Sequence, residues 1–191
     1  MQENGLSACS KHFPGDGTDY RDQHLVTSVN SLSMEEWWEN YGRVYKAVIA
    51  GGVNSIMLGH ISLPSYTGGD DGRLPATLSH KLITGLLKGE LDFGGIVVTD
   101  ALNMGGFAGW YNTHEESEIE ALKAGCDMLL WPSENYISNA LKAVKSGYIS
   151  LERIDDAVRR ILSVKEKMGL LDDNYNYFAD LSDGDKKFIK S

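Results

Sequence analysis

Two stretches of the chain concentrate side chains that can move protons or attack carbon. The first is Lys11-His12-Phe13-Pro14-Gly15-Asp16-Gly17, followed by Asp22-Gln23-His24. Its glycines and proline mark a tight irregular loop. Asp22 and His24 stand two residues apart, so in a curled loop the carboxylate reaches the imidazole, orients it and favours its protonated form. An imidazole held in that way is equipped as a general acid and base. Lys11 and His12 add hydrogen-bond donors suited to hydroxyl groups. A single Asp-x-His is more often solvated loop surface; the density of the whole run singles this one out. The second stretch is Val97-Val98-Thr99-Asp100-Ala101-Leu102-Asn103-Met104. A carboxylate ending a buried apolar run is costly to leave unpaired. Asp100 therefore either caps the following turn or serves as a nucleophile held on a rigid element. His60, after Met57-Leu58-Gly59, belongs to the same mouth, as a substrate contact or a hydrogen-bonded wall. His80 and His114 lie near helix starts and read as surface residues. Asp70, Asp71 and Arg73, in a glycine-rich loop, read as a salt-bridged rim.

The elements that position these residues alternate between two patterns. Nearly continuous apolar runs at Leu6-Ser7-Ala8-Cys9-Ser10, Val53-Asn54-Ser55-Ile56-Met57-Leu58, Gly95-Ile96-Val97-Val98-Thr99 and Cys126-Asp127-Met128-Leu129-Leu130-Trp131 predict parallel strands covered on both faces. Between them run helical patterns with readable starts. Ser33 with Glu36 and Thr113 with Glu116 form capping boxes, and Ser79, Ser133 and Ser150 are N-caps. Gly169 stands where a glycine would end the last long helix. The order is β-α-β-α-β-α-β-α-α, which builds a parallel sheet through right-handed crossovers. Four βα units make half of a (β/α)8 barrel, although pattern alone does not separate this from a small open sheet. Lys11 and His12, His60 and Asp100 each follow a strand, and polar residues gathered at the C-terminal strand ends are where an α/β active site sits. The half-barrel domain is expected over residues 1–171, with a polar extension over 172–191.

Composition narrows the partners. The 191 residues carry a net charge of -9, with Lys and Arg scattered, which argues against nucleic acid or an anionic membrane. A neutral ligand such as a sugar is compatible with it. The two cysteines, Cys9 and Cys126, lie in apolar runs and read as buried thiols. Neither has metal-ligand spacing around it, so no metal and no cofactor are expected. No apolar run reaches the roughly 18 residues of a membrane span. The N-terminal residues lack a signal-peptide pattern, and a cytoplasmic location is the expectation.

Lys11-His12-Phe13-Pro14-Gly15-x-Gly17 with the downstream Asp22-x-His24 resembles the signature of the β-N-acetylglucosaminidase branch of glycoside hydrolase family 3. Val98-Thr99-Asp100-Ala101-Leu102 with Met104 resembles that family's nucleophile strand. Ile56-Met57-x-x-His60-Ile61, Leu74-Pro75-Ala76-Thr77-Leu78-Ser79 and Ala124-Gly125-Cys126-Asp127-Met128-Leu129 match in the same order, over roughly residues 1 to 170. The resemblance implies the C-terminal half of a (β/α)8 TIM barrel and retaining hydrolysis of a terminal β-linked N-acetylglucosamine. It gives Asp100 the nucleophile's role, His24 the acid/base role and Asp22 the tuning of His24. It assigns Lys11 and His12 to sugar hydroxyls and His60 to the sugar subsite. Asp16 departs from the motif, which carries a basic or imidazole residue there. The chain starts at what resembles the fifth barrel strand, so part of the sugar pocket is missing. Two sheet edges are then left open, which predicts a homodimer or pairing with an N-terminal half-barrel. A β-glucosidase, a phosphorylase with phosphate as acceptor, and a non-catalytic sugar-binding or structural half-barrel are the alternatives.

Overall fold

The computed structural model describes residues 2–172. The extension expected over 172–191 lies, past Asp172, outside the described residues. Four strands form one parallel sheet, and two short strands form a second ladder: β1 (Cys9–Phe13), β2 (Ser28–Val29), β3 (Ser55–Leu58), β4 (Ile61–Ser62), β5 (Ile96–Ala101) and β6 (Met128–Leu130). The main sheet runs β1-β3-β5-β6, and β2 pairs with β4. All four pairings are parallel. Helices follow the main strands in the expected rhythm: 34–50, Lys81–Glu90, His114–Ala124, then Tyr136–Lys145 and Leu151–Lys167.

Residue pattern explains which face of the sheet is covered. Alternation along β3 sends Ile56 and Leu58 to the helical side, where both are fully buried with Val97, Leu82, Ile83, Leu86 and Leu87. The opposite face carries Met57 against Val98, and Val98 against Met128. Met57 and Val98 are half-buried and Met128 is 42% exposed, because no further element among the described residues covers that side. β1 and β6 are both edge strands.

Local signals place the helices. Ser33 and Glu36 form the complete capping box expected of them. Residues Met34–Trp37, Trp38–Gly42 and Arg43–Ala50 then run on continuously, with π-helical turns over Trp38–Gly42. Trp37 is fully buried there and donates from Nε1 to the carbonyl of Pro14 at 2.7 Å, so this helix grips the loop after β1. Ser150 caps the last helix, and Gly169 follows its end with φ +72°. Ser79 Oγ accepts from Leu82 N ahead of Lys81–Glu90.

Five expectations are corrected. β1 begins at Cys9 rather than Leu6, which places Lys11 and His12 within the strand. Cys9 is exposed, because β1 is an edge strand, and only Cys126 is buried. Thr113 caps its helix, but Glu116 reaches back to Asn112 N instead of closing a box on Thr113. Ser133 caps no helix. Its N–H and hydroxyl donate instead to the fully buried carboxylate of Glu118, at 2.5 and 2.7 Å. That carboxylate also pairs with His114, so His114 is more than a surface residue.

A charged cluster ties the sheet to the last helix. The Asp127 carboxylate, with no exposure, receives Lys88 Nζ at 2.8 Å, Arg153 Nη2 at 2.5 Å and Val97 N at 2.9 Å. Asp156 receives Lys88, Arg153 and Arg160 at 3.1, 2.7 and 3.0 Å.

Candidate active site

The loop between β1 and β2 is held from several sides. Asp19 clamps Arg21 and also accepts from Val29 N at 2.7 Å, which draws the loop closed and holds the Asp19 carboxyl well below its usual range. Tyr41 donates to the carbonyl of Asp16, and Asn30, fully buried, donates to that of Gly15. Gly15 lies against the ring of Tyr41, where a Cβ would stand 2.2 Å from a ring carbon, and its φ is +126°. Only glycine fits that turn. Asp16, the departure from the motif, accepts from Gln23 Nε2 at 2.9 Å and from Gly17 N at 2.9 Å, and so braces the loop.

Asp22 and His24 meet as their spacing predicts. Residues 22–26 make one tight turn, with Leu25 N and Val26 N both donating to the Asp22 carbonyl. Asp22 Oδ1 accepts from His24 Nδ1 at 2.6 Å and from His24 N at 2.9 Å. Those two bonds, from the main-chain N–H and the ring, lower the Asp22 carboxyl below its ordinary value. They fix the ring plane and leave Nε2 free to face solvent. Both side chains are exposed, at 71% and 58%.

Asp100 is the penultimate residue of β5, inside the strand and at its C-terminal end. Its Oδ1 accepts from Ala101 N at 2.8 Å, and its Oδ2 lies 3.5 Å from His12 Nε2. Burial lowers the affinity of His12 for a proton, and Asp100 works against that. Gln23, beside His24, accepts at Oε1 from His60 N at 3.0 Å, which ties the His24 turn to the His60 wall. Lys11 is exposed and its ammonium meets no partner among the described residues.

His60 is fully enclosed, with Phe107 against its ring. Its Nε2 donates to the carbonyl of Ala101 at 3.0 Å, and Nδ1 lies 2.9 Å from the Thr77 hydroxyl. Burial pushes its pKa down, so the ring is neutral and Nδ1 accepts from Thr77. Of the two alternatives open for this residue, the geometry is that of a hydrogen-bonded wall beside Asp100. Asp71 pairs with Lys81, as the rim expectation required of a charged neighbour, although the partner is not Arg73.

A cleft of about 590 Å³ opens beside β1, lined by Lys11, His12, Asp16, Tyr41 and Tyr45 among others. It reaches neither Asp100, which shares the face of Val98, nor His24. Sequence reasoning missed Gln23, buried between Asp16 and the main-chain N–H of His60, and the glycine pair Gly105-Gly106 that meets the His24 turn. The signal was present in Gly105-Gly106 as an unexplained doublet five residues past Asp100.

A family model described as the glycosyl hydrolase family 3 N terminal domain matches residues 1–164. The chain belongs to this family. It is 41% identical over 178 residues to a protein of Cellulomonas fimi named beta-N-acetylglucosaminidase/beta-glucosidase, covering 89% of this chain and 31% of that protein. Among solved structures it is similar to a family 3 β-N-acetylglucosaminidase from Paenibacillus sp. str. FPU-7, at 31% identity and a TM-score of 0.83, covering 99% of this chain and 37% of that one. It is also similar to the beta-glucoside phosphorylase BglX, at 37% identity and a TM-score of 0.82, covering 88% of this chain and 32% of that one. The chain thus spans about a third of the length of these relatives. The βα alternation predicts the parallel arrangement, and the four strands are part of the family's TIM-barrel-like fold, as the resemblance implies.

Proposed function

We propose that this family 3 chain carries the catalytic groups of a retaining glycosidase that acts on terminal β-linked N-acetylglucosamine. The observation that carries the proposal is the Asp22–His24 pair, bonded at 2.6 Å in a turn whose His24 carbonyl accepts from Gly105 N, in the segment that follows the Asp100 strand of a parallel sheet. In the first step an Asp100 oxygen attacks the anomeric carbon. The glycosidic C–O bond breaks, and the proton on His24 passes to the departing oxygen. In the second step His24 takes a proton from water, and the resulting oxygen displaces Asp100 from the anomeric carbon. Asp22 keeps the ring oriented and stabilises its charged form. Lys11 and His12 meet sugar hydroxyls, and His60 holds the wall of the subsite beside Asp100. The relatives' names support this reading, as does the match of Lys11 through His24 to the family signature.

A second reading has phosphate in place of water. The name of BglX supports it, and so does the imidazole at position 24, which repels an anionic acceptor less than a carboxylate would. Hydrolysis and phosphorolysis are separated by product analysis with and without phosphate. Paired aryl glucosides and N-acetylglucosaminides separate the β-glucosidase reading.

We further propose that the chain acts only when its open side is covered, by a second copy or by an N-terminal half-barrel. The uncovered face with Met57, Val98 and Met128, and the free edges of β1 and β6, support this. Two free cysteines, one exposed, fit a reducing compartment and so a cytoplasmic location. The deciding experiment is an aryl N-acetylglucosaminide assay of the chain alone and with the N-terminal half supplied, with light scattering on each. Turnover that requires the added half, and that Asp100→Asn abolishes, is expected. Sugar binding without turnover in either sample would favour the non-catalytic module. A stable monomer over a wide concentration range would overturn the proposed assembly.

A further inference from the structure

The His24 turn does not stand alone on its own loop. Its backbone is seated on the segment that follows the Asp100 strand. Gly105 N donates to the carbonyl of His24 at 2.7 Å, and Gly106 N donates to that of Gln23 at 3.1 Å. The two backbones touch so closely that neither glycine has room for a side chain. A Cβ on Gly105 would lie 2.2 Å from the Leu25 carbonyl oxygen; one on Gly106 would lie 2.6 Å from that of Gln23 and 2.8 Å from His60 Cβ. Thr27 then closes the contact. Its hydroxyl donates to the carbonyl of Gly106 at 2.7 Å and accepts from Trp110 Nε1 at 2.9 Å. Trp110 Nε1 also reaches the Gly106 carbonyl, at 3.2 Å. From below, Gln23 Oε1 accepts from His60 N at 3.0 Å. The main chain of residues 23–27 is therefore pinned while the His24 and Asp22 side chains stay exposed.

We propose that Gly105, Gly106, Thr27 and Trp110 form a latch that fixes the His24 turn against the segment that follows the Asp100 strand, and that these four are positioning residues for the proposed reaction. The reasoning rests on the acid/base role given to His24. The geometry favours it because the latch joins the turn that carries His24 to the segment that follows Asp100: one side belongs to the His24 turn, and the other begins at Gly105, four residues after Ala101 ends the nucleophile strand. A structural brace would serve anywhere along these loops. This one grips the main chain of the acid/base residue itself.

The test has one arm that needs no catalysis and one that does. In the first, hydrogen exchange of the Gly105 and Gly106 amides is followed in the intact chain. Thr27→Val removes one hydroxyl, whose net contribution corresponds to about fivefold faster exchange at both amides. Thr27→Ser restores the wild-type rate, and the Val97 amide, held by Asp127, is unchanged in both. In the second arm the same variants are assayed in the chain joined to the N-terminal half. Thr27→Val lowers kcat by about tenfold on glycosides with poor leaving groups and by less than about twofold on activated aryl glycosides, with KM little altered. Thr27→Ser recovers both. Unchanged exchange in Thr27→Val overturns the latch whatever the activity. Faster exchange with equal losses on both substrate types overturns the positioning role. An inactive wild-type protein defeats the glycosidase reading, and the role with it, while the exchange arm still decides the latch.

Discussion

Replacing Asp127 by alanine tests how the strand that carries Asp100 is held. The Asp127 carboxylate is wholly buried and accepts from Lys88, Arg153 and Val97 N. Lys88 and Arg153 are themselves 7% and 14% exposed, so losing the carboxylate strands two cations away from water. Removing one partner from a buried ion pair costs about 3–5 kcal/mol. Two features set the place within that range. Asp156 still faces both cations at 3.1 and 2.7 Å, which draws the cost to the lower end. The amide of Val97 loses its acceptor, which adds about 1 kcal/mol. A loss of about 4 kcal/mol is expected, read as a fall in the urea midpoint. Asp127→Asn keeps an acceptor for one donor and should lose about half as much. Burial pushes the Lys88 ammonium down and Asp127 opposes this, so without Asp127 the lysine sheds its proton more readily. The penalty of Asp127→Ala should therefore shrink at alkaline pH. The double variant Asp127→Ala with Lys88→Met should be more stable than the sum of the two single losses. A loss below about 1 kcal/mol in Asp127→Ala, or strict additivity in the double variant, would refute the account of a desolvated charge cluster.

The catalytic pair should separate by leaving group. His24→Ala is expected to slow substrates with poor leaving groups by about 100-fold or more while sparing activated aryl glycosides, whereas Asp100→Asn removes turnover on both; equal effects of His24→Ala on both classes would argue against it as the acid. Turnover should survive EDTA, because proton transfer and covalent capture need no redox chemistry; loss with EDTA and recovery with a divalent ion would contradict this. Asp156 gives a pH dependence of stability. Burial works to raise its carboxyl, but Arg160 and Lys88 prevail and hold it at about 2, below the ordinary 3.8. The unfolded chain takes up that proton first, so the contribution is complete above pH about 4 and is lost as the pH falls toward about 2. Urea midpoints across that window should fall more steeply for the wild type than for Asp156→Asn.

The βα alternation was legible because burial on both faces writes near-continuous apolar runs, and all four main strands and their helices are present. Their ends were not legible, since the ladder continues past the apolar run. Lys11 and Asp100 lie within strands although the apolar runs end before them, because the ladders resume beyond, at Phe13 with Leu58 and at Ala101 with Leu130. Leu6 is left 58% exposed at the edge despite its apolar type. The spacing of Asp22 and His24 was enough to predict their contact, since both ends lie in one turn. What holds that turn was hidden. Gly105, Thr27 and Trp110 are far from it or from one another in sequence, and their role exists only once two loops meet. Glu118 shows the same limit from the other side. A carboxylate in a helical pattern reads as surface, and only the fold brings Ser133 and His114 to it.

The free edge of β1 has a practical consequence. Cys9 is exposed on that edge, while Cys126 is enclosed, its thiol driven up by burial and its Sγ facing the Thr77 carbonyl. A thiolate-selective reagent therefore distinguishes the two cysteines without mutagenesis. A dye attached at Cys9 sits where any strand completing the sheet must lie. Its shielding then reports, in real time and in the unmodified sequence, the moment at which this side of the sheet is closed.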